Sequence, residues 1–145
     1  MDETTHDAAR TAARRPRQSQ MIRVWGMAMA VEAAAFAVAS TAHFAIGFTD
    51  AAIPELLIAA VLGGGSSAVL TRRPHALGIA VGATAFATLG TIVGLIFIAT
   101  GRQDVPDLAY HASILTALGV TLTAILRGAR GAGPNSLARA RTLPK

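Results

Sequence analysis

The chain contains no cysteine, which excludes disulfides, thiolate metal sites, cysteine nucleophiles and dithiol redox chemistry. It is also short of charge: 14% of its 145 residues are charged against 52% apolar, outside the balance of ordinary soluble domains. Alternating hydrophobicity is missing as well. A closed β-barrel would show short alternating segments, whereas Ala, Leu, Ile, Val and Gly here run on without a period of two. No Gly-x-Ser-x-Gly elbow or His-Glu-x-x-His motif occurs, and Gly63-Gly64-Gly65-Ser66-Ser67 lacks the lysine of a phosphate-binding loop. Enzyme status stays open on this reading, leaning negative.

What is present is four long apolar stretches, at about 24–47, 51–70, 75–100 and 108–127, on a chain with room for one domain. A hydrocarbon core needs about 20 helical residues to cross, and helices satisfy the backbone where lipid cannot. The expectation is an all-α transmembrane four-helix bundle over 23–127, antiparallel and up-down, flanked by basic tails at 1–22 and 128–145 that read as mobile. Of the 13 basic residues, only Arg102 falls opposite the rest when the spans are threaded in order. The positive-inside rule then puts both termini and the 71–74 loop in the cytoplasm of a cell (plasma or inner) membrane. This placement explains the pI of 11.3 better than nucleic-acid binding does. A cleaved signal peptide ending near Ala37-Val38-Ala39 is the rival reading of the first span.

Lipid removes the hydrophobic drive between helices, so association relies on small residues. Gly78-x-x-x-Gly82 and Gly90-x-x-x-Gly94 supply them in the third span, either for packing within the chain or for a homo-oligomer or larger membrane complex. The Gly63–Gly65 run is a candidate hinge, since each glycine costs about 1 kcal/mol of helix propensity. Asp50 and Asp104 are expected as N-caps, with Pro54 and Pro106 in the first turns that follow. Trp25 and Tyr110 are expected at opposite membrane interfaces.

The functional argument rests on ionisable residues inside the spans. His43, Glu55, Asp107 and His111 should meet at the outer end, with Asp107 and His111 one turn apart on one face. Two imidazoles and two carboxylates suit a metal ion, and His43 with His111 suits axial ligation of a haem. The plain alternative is that the acids cap helices and His43 bonds a neighbouring helix. Glu32 lies about 12 Å into its span, where a charged acid costs about 2.5–3.5 kcal/mol. It shares a face with His43, so the two could form a proton relay serving ion or solute transport, supported by Thr84, Thr88, Thr91, Ser113 or Thr116. A protonated Glu32 bonded to one of these hydroxyls is the plainer alternative.

Glu32 in an Ala-rich first helix, Ala42-His43-Phe44 at its end, Gly90-Thr91-Ile92-Val93-Gly94-Leu95 and Asp107-Leu108-Ala109-Tyr110-His111 together resemble a group of small four-helix bacterial integral membrane proteins. The resemblance spans about 24–127 and implies an architecture, with no activity attached. Three functions follow: a non-enzymatic accessory or assembly component binding other membrane proteins, taken first; a metal or haem protein; and a proton-coupled transporter using Glu32.

Overall fold

The computed structural model describes residues 3–101 and 105–131, with side chains over 19–101 and 105–130. The described residues form four helices: α1 (Glu3–Ala45), α2 (Thr49–Leu70), α3 (Ala76–Thr100) and α4 (Val105–Gly131). Each contains a segment long and apolar enough to cross a membrane, namely Ser19–Ala45, Thr49–Leu70, Ala76–Thr100 and Val105–Arg130. The outer surface is itself apolar: Val38 and Phe97 are 70% and 75% exposed, as lipid permits and water does not. The expected all-α class, with four helices long and apolar enough to span a membrane, is therefore met.

The helices form a ring in which α1 packs on α2, α2 on α3, α3 on α4 and α4 on α1. Their shared core contains Trp25, Met29, Phe36, Leu62, Leu118 and Ile125. On α4 the buried residues His111, Ile114, Leu118, Thr121 and Ile125 recur at three- and four-residue steps, one face of a helix. Two hydroxyls tie α1 to α2, Ser66 donating to the Gly26 carbonyl and Ser40 to the Ala52 carbonyl, both at 2.7 Å.

Tight turns set the ends of the first two helices. After α1, Phe48 N–H reaches His43 O and Gly47 N–H reaches Phe44 O, with Gly47 at φ +74°, the paired closure that favours glycine at its left-handed position. The same pair of bonds closes α2, from Arg73 to Ala68 and from Arg72 to Val69, but here Arg72 takes the left-handed position at φ 54°. A residue with a Cβ is strained there by about 1–2 kcal/mol.

Several local expectations need correction. The N-cap of α2 is Phe48, and Asp50 lies within the first turn, where its charge still favours the helix N-terminus. Pro54 consequently sits inside α2, where it removes the amide that would have bonded Asp50 O. Asp104 and Arg102 lie outside the described residues, as do 132–145. Residues 3–20 belong to α1, in keeping with their alanines and arginines, both strong helix formers. Trp25 is buried at 8% exposure, and Tyr110 packs against the core, so both rings turn toward the bundle. The Gly63–Gly65 run continues α2 without a break.

The glycines divide by surroundings. A Cβ at Gly65 would lie 2.7 Å from Met29 Cε and 2.8 Å from Ala83 Cβ, and one at Gly90 would lie 2.7 Å from Ile58 Cδ1. Gly78 and Gly82 have nothing within 4 Å of such an atom. Gly65→Leu is therefore expected to lower stability by about 1–3 kcal/mol through overpacking, measured by thermal unfolding in detergent micelles. An unchanged melting temperature would show that α1, α2 and α3 do not close on Gly65.

Candidate functional site

The turn between α1 and α2 brings the last turn of one helix beside the second turn of the next. It places His43 opposite Glu55, with His43 Nδ1 2.7 Å from Glu55 Oε2. A helix C-terminus favours a cation and an N-terminus an anion, so the two positions would favour an ion pair on protonation of His43. On α4, Asp107 in the first turn and His111 one turn later share a face. His111 Nδ1 lies 2.9 Å from the Asp107 backbone oxygen and 3.0 Å from Asp107 Oδ1. Two oxygen acceptors on one ring nitrogen assign the hydrogen to Nδ1.

In a neutral ring, His111 Nε2 then carries the lone pair. It faces Glu55 Oε1 at 3.9 Å, beyond hydrogen-bond reach. Glu55 Oε1 is buried with no hydrogen-bond partner. Glu55 therefore stands between two imidazoles, bonded to one and facing the lone pair of the other. The sequence His43, Glu55, His111, Asp107 forms a chain whose middle members are 5% and 8% exposed and whose ends are 15% and 21% exposed.

The ring of His111 rests against α3 at Gly94, where a Cβ would come within 3.1 Å of both Cδ2 and Nε2. Gly94 thus seats the imidazole, a role more specific than the helix packing expected of it. Tyr110 meets His111 edge-on at 5.1 Å and Phe36 edge-on at 6.3 Å. Its hydroxyl is buried without a hydrogen-bond partner.

The structure brings His43, Glu55, Asp107 and His111 together, but in a line and not around a point. Among the described residues no group of three or more His, Asp or Glu is disposed to hold a metal ion. The two imidazoles proposed as axial ligands have Glu55 between them, 2.7 Å from His43 Nδ1 and 3.9 Å from His111 Nε2. Comparison with protein-family models, curated proteins and solved structures finds no match. Geometry alone carries the functional argument for this chain.

Glu32 belongs to a different part of the core. Its Oε1 accepts a 2.7 Å hydrogen bond from Thr121 Oγ1, and its Oε2 is buried with no partner. Phe36, 1% exposed, lies between Glu32 and His43 along α1. The hydroxyls expected to serve Glu32 turn elsewhere. Thr88, Thr91, Ser113 and Thr116 donate to carbonyls one turn back on their own helices, and Thr84 Oγ1 is buried without a partner. Thr121 was legible in principle, because it falls on the buried stripe of α4 with His111 and Leu118.

Interhelical hydrogen bonds in membranes are worth about 0.6 kcal/mol on average and up to about 1.7. Thr121→Val should therefore destabilise the chain by about 1 kcal/mol, while Glu32→Gln, which keeps a carbonyl oxygen for Thr121, should cost less. Unfolding in mild detergent measures both. The reverse order of losses would rule out the Thr121 bond as the main tie of Glu32.

Proposed function

We propose that this chain is a multi-pass protein of the plasma or inner cell membrane whose outer end exchanges protons along His43, Glu55, His111 and Asp107. Its bundle is antiparallel and up-down, with both termini in the cytoplasm. The arginine distribution supports that orientation. The contact pairs Gly26 with Ser66 and Ser40 with Ala52 support opposed directions for α1 and α2. Any kinship with small four-helix bacterial membrane proteins enters as architecture alone.

The observation that carries the proton reading is Glu55 between two imidazoles. Ionisable groups inside a membrane are costly and mark function, and here they form an ordered series of donors and acceptors. A proton arriving at His43 Nε2 makes an imidazolium, whose Nδ1 proton passes to Glu55 Oε2. Reorientation of the carboxyl presents that proton to His111 Nε2 once the 3.9 Å gap closes to about 3 Å. His111 Nδ1 then gives its proton to Asp107 Oδ1, 3.0 Å away. One proton is thereby taken up at His43 Nε2 and one is delivered to Asp107 Oδ1, from which it is released at the more exposed end of the series, and the 3.9 Å gap is the step that must move. Glu32, bonded to Thr121, is read as a tie between α1 and α4 outside this chain.

Infrared difference spectra of the protein in bilayers, taken between neutral and acidic pH, test the reading. A carboxyl band that appears on acidification should vanish in Glu55→Gln and shift in His111→Ala. Identical spectra for wild type and Glu55→Gln would rule out Glu55 as a proton carrier.

A second reading, a non-enzymatic accessory or assembly component, is favoured by Gly78 and Gly82. They present an open small-residue surface on α3 that no described side chain fills, as an interface with another membrane protein or a second copy would need. Gly78→Leu/Gly82→Leu should leave the fold intact and abolish co-purification of a partner or self-association on mild extraction. A wild-type chain that runs as a monomer without partners would end this reading.

A further inference from the structure

The Trp25 end of the molecule is built differently from the His43 end. It holds an apolar cavity of about 210 Å³, between all four helices. Met21 and Trp25 line it from α1, Val69 from α2, Leu77 and Ala80 from α3, and Ala129 from α4. Gly128 keeps it shaped, since a Cβ there would overlap the Trp25 indole. Apolar cavities of about 150 Å³ stay dry and accept hydrocarbon, and this one lies at the end of spans immersed in acyl chains.

The rim is cationic. Every wall stands within three residues of an arginine: Arg23 follows Ile22, Arg72 follows Val69 by three, Arg73 precedes Ala76 by three, and Arg127 and Arg130 bracket Gly128 and Ala129. All five are exposed. No acid with a described side chain lies near them, because Asp50, Glu55 and Asp107 belong to the opposite end and Glu32 to the interior. Arg72 also holds the left-handed position at φ 54°, where glycine would be unstrained, so the guanidinium is kept at a conformational cost.

We propose that this end binds one anionic phospholipid, with part of an acyl chain in the cavity beside Trp25 and the phosphate held by the arginine rim. Basic pockets between spanning helices attract anionic headgroups, and guanidinium groups match phosphate in a two-pronged geometry. An acyl chain is the complementary filler for walls made of Met, Trp, Val, Leu and Ala. Proton exchange at the other end plays no part in this argument, and either can fail without the other.

Native mass spectrometry of the full chain in detergent, titrated with phosphatidylglycerol or phosphatidylcholine, tests it. Phosphatidylglycerol should bind at one copy per chain and phosphatidylcholine about tenfold more weakly or less. Arg72→Gln/Arg73→Gln should weaken phosphatidylglycerol by about tenfold or more. Ala129→Phe should weaken it similarly by filling the cavity, and Ala76→Phe from the α3 wall provides a second filling variant should the first fail to fold. Equal binding of the two lipids would overturn the proposal. So would unchanged binding in a folded cavity-filling variant, which would leave only surface attraction to the arginines.

Discussion

Hydrocarbon offers no hydrogen-bond partner, so every polar group carried into it must find one within the protein or remain unsatisfied. Each element of this molecule answers that constraint. The backbone is helical across all four spans. Thr88, Thr91, Ser113 and Thr116 return their hydroxyls to carbonyls of their own helices. Ser40 and Ser66 instead cross between α1 and α2. The carboxyls cannot be served in either way, and each recruits a side chain from another helix: Thr121 for Glu32 and His43 for Glu55. The oxygens left over, Glu32 Oε2 and Glu55 Oε1, mark where the structure stores unmet demand.

The two ends meet the membrane with opposite chemistry. Around His43, close approach of α1, α2 and α4 collects acids and imidazoles, and Gly94 of α3 provides the flat seat that His111 needs. Around Trp25, among the described side chains, those inside are apolar and the formal charges outside are all arginine. Gly128 performs there the task Gly94 performs at the far end, admitting a ring against a helix backbone. Small residues thus do two kinds of work in one bundle. They let helices close on one another, and they make room for the aromatic and imidazole rings that define each end.

Helix content and span length follow from local pattern, since apolar runs of this length have one backbone solution in lipid. His43, Glu55, Asp107 and His111 were recognisable as a group because ionisable residues are rare in such runs, and their spacing from the turns fixed a common depth. Which atoms meet was not recognisable. The series from His43 through Glu55 to His111 depends on the rotation of three helices about their axes, which the close contacts at Gly65, Gly90 and Gly94 set. The same rotation turns Tyr110 and Trp25 toward the core.

By itself the sequence determined four apolar helices, the gathering of twelve of its thirteen basic residues on one side of the threaded spans, and the absence of cysteine chemistry. These are properties of composition and of a 3.6-residue period read along one chain. Only the tertiary structure decided that Glu32 bonds Thr121 and not the threonines of α3, that Glu55 stands between two imidazoles, and that Gly78 and Gly82 face outward while Gly90 and Gly94 face in. Each of these depends on contacts between residues far apart in the chain, and those are set by how side chains interlock across helix interfaces.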